Sequence, residues 1–231
     1  MNAPGQLATT GVFVCFEGGE GGGKSTQSRL LGDRLRAAGY DVVSTFEPGD
    51  TPVGRELRRI VLDPSTGALA SRTEALIYAA DKAEHVESVV LPALRRGAVV
   101  ITDRYVDSTL AYQGAGRALD DGPAGLAGLE QAARWATGDL RPHLTVVLDV
   151  PPSVGLGRFE GRDRIEAEGL EFHERVREAF LRMAGADPAR YRVLDARGEV
   201  GSIAAAVWAG VEPLLDRAVR RPAADDGGAP Q

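Results

Sequence analysis

The stretch Gly18-Gly19-Glu20-Gly21-Gly22-Gly23-Lys24-Ser25 fits the spacing G-x-x-x-x-G-K-[ST], and Thr26 follows it. Glycines at this spacing let backbone N–H groups turn inward and form a nest around phosphate oxygens. A helix opening behind them adds its dipole. In such a loop Lys24 reaches the β- and γ-phosphates of a nucleoside triphosphate, and the Ser25 hydroxyl holds Mg²⁺. A second pair, Asp103-Arg104, sets a carboxylate suited to a cation beside a guanidinium suited to a phosphate.

These residues need a scaffold that brings them to one edge. Five short apolar runs read as buried parallel strands: Val12–Phe16, Asp41–Thr45, Ala98–Thr102, Leu144–Leu148 and Arg192–Leu194. Helical spacing separates them. Ser25–Ala38 carries Leu30, Leu31 and Leu35, and stops at Gly39. Glu74–Arg96 aligns Leu76, Ile77, Ala80, Ala83, Val86 and Val90 and ends at Gly97. Leu170–Met183 and Ser202–Val219 complete the set, while Ala115–Gly128 reads as a loop before the helix containing Trp135. Alternating strands and helices predict an α/β fold with a doubly wound, five-stranded parallel sheet. Ligands of such sheets bind beyond the carboxyl ends of the strands. Glu47-Pro48-Gly49, Asp103-Arg104-Tyr105 and Asp149 are all expected to face that crevice with the phosphate loop.

Bulk properties narrow the class. With 231 residues, one sizeable domain is expected, over about 11–220, with loose ends at 1–10 and 221–231. A net charge of −6 argues against a general nucleic-acid or membrane binder, since both need a basic surface. The single cysteine, Cys15, excludes an intrachain disulfide and suits a reducing cytoplasm. Of 27 basic residues only Lys24 and Lys82 are lysines, so each is worth asking about separately. The chain has no N-K-x-D segment, as a regulatory GTPase needs. Nor does it have an apolar strand ending in Asp-Glu, as a motor ATPase needs, because Val150 follows Asp149. A kinase acting on a small molecule fits what is left.

The phosphate loop, Glu47-Pro48-Gly49, Asp103-Arg104-Tyr105, Ser108-Thr109-Leu110-Ala111-Tyr112-Gln113-Gly114 and Asp163-Arg164-Ile165-Glu166 occur in an order that resembles thymidylate kinase of the bacterial type. The resemblance runs from about Val12 to Val211. It implies transfer of the γ-phosphoryl of Mg-ATP to dTMP, giving dTDP. By the same resemblance Glu20 faces the acceptor's sugar, Arg104 binds its phosphate, and Asp103 belongs to the magnesium shell with Ser25. Tyr112 crowds the sugar 2′ side, and Ser108, Thr109, Gln113 and Glu166 complete the acceptor site. Tyr78 and Lys82 stand where the family usually carries Phe and Arg against the base. A solvated helix lysine beside Asp81 and Glu84 is the rival reading of Lys82. A short mobile lid, about 157–168, would supply a catalytic arginine from among Arg158, Arg162 and Arg164. Two departures are noted: Phe46 replaces a family arginine, and Asp50 adds a negative charge near an anionic substrate. The family expectation is a homodimer packed through helices. Another nucleotide or nucleoside kinase of this fold, and a non-catalytic nucleotide switch, are the alternatives.

Overall fold

The computed structural model describes residues 10–117, 125–158 and 163–218. The tails expected to be loose, and Arg162 within the expected lid, lie largely outside these residues.

Five strands form one parallel sheet: β1 (Val12–Glu17), β2 (Val42–Phe46), β3 (Val99–Asp103), β4 (Leu144–Asp149) and β5 (Tyr191–Asp195). Their order across the sheet is β2-β3-β1-β4-β5, so β1 is central. In register, Phe16 pairs with Asp103 and with Val146, which brings the ends of β1 and β3 level. Alternation along β1 divides the core. Val12, Val14 and Phe16 face α1 (Lys24–Ala37) and α9 (Val200–Val211), packing with Leu31, Leu35 and Val207. Phe13 and Cys15 face the other side, against Val86, Leu91 and Leu94. Burying each large apolar side chain stabilises the fold by about 1.5–3 kcal/mol.

The helices have local causes. α1 ends where Gly39 takes a φ of 85°. α2 (Pro52–Leu62), which the apolar spacing does not announce, is started by Thr51, whose Oγ1 accepts from Gly54 N at 2.8 Å, with Pro52 at the first position. α3 (Ser71–His85) runs through a π-helical turn, Val86–Val90, into α4 (Leu91–Arg95). Pro92 has no N–H for the Ser88 carbonyl four residues back, which fits a widened turn just before it. After β3, α5 (Val106–Thr109) passes into a π-helical stretch, Leu110–Gly116, where the expected loop was to begin, and α6 (Leu126–Ala136) carries Trp135. α7 (Pro152–Gly155) and α8 (Leu170–Ala186) follow β4. A third apolar cluster, with Tyr112, Phe172, Val176 and Phe180, packs α8 onto the π-helical stretch.

Candidate active site

β1 runs directly into the phosphate loop. Gly21 has a φ of 69°, and a Cβ there would collide with the backbone of Gly155 in α7. Gly155 is equally tight, since its own Cβ would collide with the Glu20 carbonyl. At the helix start, Gly23 is left-handed and no side chain caps α1 among the described residues. The first-turn N–H groups and the dipole are therefore directed at an anion. Lys24 is buried, and its Nζ donates to the Gly18 and Gly19 carbonyls at 3.2 and 2.8 Å. Burial, then the Arg104 charge, hold its pKa below the ordinary lysine value. Ser25 Oγ donates to Asp103 Oδ2 at 2.8 Å. Two hard oxygens so placed would suit Mg²⁺.

Arg104 sits at the end of β3 with a φ of 71°, a conformation that costs a non-glycine residue about 1–3 kcal/mol. The surroundings hold it there. Its backbone N–H donates to Phe16 O at 2.9 Å, and its guanidinium reaches Gly18 O at 3.2 Å, Ser108 Oγ at 3.1 Å and Glu20 Oε1 at 2.7 Å. Tyr112 OH donates to the same Glu20 oxygen at 2.7 Å, and the guanidinium lies 4.8 Å from the Tyr112 ring centre. Burial pushes the Glu20 pKa upward, but Arg104, Lys24 and the Tyr112 hydroxyl outweigh it and hold the carboxyl at about 2. Glu20 is thus an anion throughout the physiological range.

Beneath this group lies Glu17, with no exposed surface. Its Oε1 accepts from Tyr105 N and Ser108 N at 2.8 and 3.1 Å, and its Oε2 from Ser108 Oγ at 2.6 Å. It thereby ties the segment that follows Arg104 to β1. Burial, then the Asp107 charge, raise its pKa from 4.5 to about 7. A folded-state pKa above the unfolded value means stability that is present at low pH and lost as pH rises through about 7. Wild type is therefore expected to lose melting temperature between pH 5 and pH 8 relative to Glu17→Gln. Parallel melting curves across that range would refute this role for Glu17.

A cleft of about 140 Å³ opens beside the loop and is lined by Tyr78, Lys82, Ser108, Thr109, Gln113 and Glu166, among others. Thr109 Oγ1 is buried without a hydrogen-bond partner among the described residues, as a ligand-contacting hydroxyl would be. The Ser108 hydroxyl is engaged by Glu17 and Arg104, so it braces Arg104 from behind. Glu166 Oε2 accepts from Asp163 N at 3.2 Å. Lys82 is no solvated lysine: it is 1% exposed, and its Nζ lies 3.1 Å from Glu47 Oε2. Glu47 Oε1 meets His85 Nδ1 at 2.7 Å. Removing one partner of a buried pair strands the other charge, at about 3–5 kcal/mol. Lys82→Ala is expected to lower unfolding free energy by about that amount and to weaken dTMP binding more than ATP binding. Unchanged denaturation with equal effects on both ligands would refute it.

A second, larger cleft faces Lys24, Ser25, Thr26 and Asp103, and shares Glu20, Glu47, Arg58 and Arg104 with the first. Arg158 lines it and donates to the Gly21 carbonyl of the phosphate loop. Arg164 lies elsewhere, donating to Glu74 and, at 2.8 Å, to Val61 O. Arg162 is outside the described residues. Two expectations need correction. Asp149 is not offered to the crevice, because Arg177 of α8 grips it through two bonds of 2.6 and 2.9 Å. Asp50 is drawn to the Thr45 hydroxyl at 2.5 Å and lines neither cleft.

The family model described as thymidylate kinase matches residues 16–207. The chain belongs to the thymidylate kinase family. It is 54% identical over 207 residues to the thymidylate kinase of Cutibacterium acnes, covering 90% of this chain and 99% of that one. It is 50% identical over 210 residues to that of Clavibacter michiganensis, covering 89% and 97%. The crystal structure of thymidylate kinase from Ehrlichia chaffeensis superposes with a TM-score of 0.71 at 30% identity, over 87% of this chain and 98% of that one.

Set in this family frame, three residues stand out that sequence reasoning passed over. Glu17 closes β1 and reads as a strand-end residue until its partners at Tyr105 and Ser108 are known. Arg58 lines both clefts from α2, donates to Pro48 O at 2.7 Å, and lies against the Phe46 ring, where the family arginine is missing. Glu74 opens the first turn of α3 but is 1% exposed. A buried acid at the polar start of a helix is the only signal that could have drawn attention to it.

Proposed function

We propose that this chain transfers the γ-phosphoryl group of ATP to the 5′-phosphate of dTMP, giving dTDP and ADP. The observation that carries the reading is the shared wall of the two clefts. Glu20, Arg58 and Arg104 line both, so donor and acceptor phosphates meet across them. Family membership supports the same reading.

In the reaction an oxygen of the dTMP phosphate attacks the γ-phosphorus, and the bond from that phosphorus to the β–γ bridging oxygen breaks. Protein groups supply position and charge rather than covalent chemistry. Lys24 and the first-turn N–H groups of α1 hold the β- and γ-phosphates. Arg104 aligns the acceptor phosphate, with Arg58 beside it. Glu20, kept ionised, is offered to the acceptor sugar, and Tyr112 packs against it. Arg158, rooted next to Gly155, is placed to neutralise the transferring group. Ser25 and Asp103 would hold Mg²⁺, which supplies charge neutralisation of the phosphate oxygens when bound. Tyr78, Lys82, Thr109 and Gln113 would receive the base.

A coupled assay over dTMP, dUMP, dCMP, UMP, AMP and thymidine tests this directly. Highest kcat/KM on dTMP is expected. Turnover mainly on another acceptor would replace the substrate, and nucleotide binding without turnover on any acceptor would favour the switch alternative.

The single-domain reading, over about 11–220 with a lid near 157–168, and a cytoplasmic setting that suits the free Cys15 belong to the same proposal. So does a homodimer. It is supported by Leu76 and Trp135, 62% and 85% exposed on the mutually packed α3 and α6. Light scattering is expected to show a dimer, and Leu76→Glu with Trp135→Glu a monomer. A monomeric wild type would overturn that assembly.

A further inference from the structure

We propose that Glu74 is a specificity-positioning residue: by locking the orientation of the Gln113 amide, it makes the base site accept a pyrimidine with a protonated N3 and refuse one without. This rests on the reading of Gln113 as a base contact.

Glu74 Oε1 accepts from Gln113 Nε2 at 3.0 Å. Its carboxylate also accepts from Arg117 Nε and Nη2 at 3.1 and 3.2 Å, and from Arg164. Although burial pushes its pKa up, the hydrogen bonds from Arg117, Arg164 and Gln113 prevail and keep it below the ordinary glutamate value. An ionised carboxylate can only accept hydrogen bonds. The amide atom facing it must therefore be the NH₂, whichever way round a free glutamine would prefer to sit. The remaining amide atom, Oε1, is a pure acceptor, and Gln113 is a wall residue of the acceptor cleft while only 2% exposed.

The consequence is a one-way test of the base. Thymine and uracil carry a hydrogen on N3, which an acceptor satisfies. Cytosine carries a lone pair there, and two acceptors would face each other in a buried site. A glutamine free to rotate by 180° would greet cytosine with its NH₂ and lose the distinction. Glu74 forbids that rotation, so discrimination comes from a repulsion that is built in as well as from an attraction. A site arranged to hydrogen-bond one pattern can reject the mismatched one by large factors. The two arginines pair with the carboxylate, and Arg164 ties it to the later part of the expected lid segment.

The test is a double-mutant cycle read as the ratio of kcat/KM for dTMP to that for dCMP. Glu74→Gln is expected to narrow the ratio by at least about tenfold, with the KM for dTMP rising and the KM for ATP unchanged. Glu74→Asp, still a pure acceptor, is expected to keep the ratio. In a Gln113→Ala background, Glu74→Gln is expected to change the ratio no further. If Gln113→Ala collapses the ratio but Glu74→Gln leaves it intact, the inference is wrong while the base contact stands. If Gln113→Ala itself leaves the ratio unchanged, the underlying reading of Gln113 fails. A fall in turnover with both acceptors alike in Glu74→Gln would make Glu74 structural only and overturn the proposal. Should Glu74→Gln not fold, Glu74→Gln with Arg164→Gln removes one stranded cation and carries the same readings.

Discussion

Lys24→Ala is expected to lower kcat by at least about a hundredfold to a thousandfold, the loss typical when one preorganised charge-stabilising group is removed. The fold should survive. Lys24 is buried and its ammonium is disfavoured by that burial, so its removal relieves a desolvation cost while leaving two loop carbonyls short of a donor. These terms oppose, and a net change of about 1 kcal/mol is expected. Lys24→Arg should be nearly as inactive, since a planar fork does not fit where a compact ammonium bonds two carbonyls. A steady-state coupled assay beside a thermal melt measures both quantities. Retention of more than about a tenth of wild-type kcat in a folded variant would remove Lys24 from the reaction.

The second large effect separates two arginines that the sequence leaves equivalent. Arg158→Ala is expected to cut kcat by about a thousandfold, as loss of an arginine over a transferring phosphoryl group does, with modest change in either KM. Arg164→Ala is expected to keep kcat within about tenfold but to melt at lower temperature, because it strips Glu74 and the Val61 carbonyl of a shared donor. Steady-state kinetics on the two variants decide the matter. An active Arg158→Ala beside an inactive Arg162→Ala would move the role to Arg162, and an inactive Arg164→Ala with an unaltered melt would move it to Arg164.

Much of this architecture could be read directly from the chain, for a definite reason. The inner strands β1, β3 and β4 are short, continuous apolar runs covered on both faces. β2 and β5 lie at the sheet edges with exposed residues, contrary to the expectation that all five are buried. Yet all five fall within a few residues of where composition places them. The phosphate loop was legible because its parts are contiguous. The same holds for the Asp103-Arg104 pair at a strand end. What was not legible depends on partners far away in sequence. Asp149 looks like a free strand-end acid until Arg177, 28 residues on, is folded against it. The rival reading of Lys82, a solvated lysine among Asp81 and Glu84, falls only when Glu47, just past β2, is folded against it. The end of the π-helical stretch, Ala115–Gly116, reads as the start of a loop because that loop's glycines disfavour a helix. Packing of Tyr112 against Phe172 and Phe180 overrides that preference. α2 was missed although Thr51-Pro52 is a sound start signal, because its apolar face is short.

The seam between Gly21 and Gly155 bears on how this protein can change over time. Neither position has room for one carbon beyond the backbone, and what each would strike is the other segment's main chain. No residue is smaller than glycine, so a change on one side cannot be relieved by a reduction on the other. The usual route of compensated substitution is closed to the pair, and drift through either position ends in a protein whose two segments no longer touch. Three residues beyond Gly155 stands Arg158. The reach of that guanidinium toward the phosphate is thus gauged by main chain against main chain, a dimension that inheritance can keep or lose but not adjust by degrees.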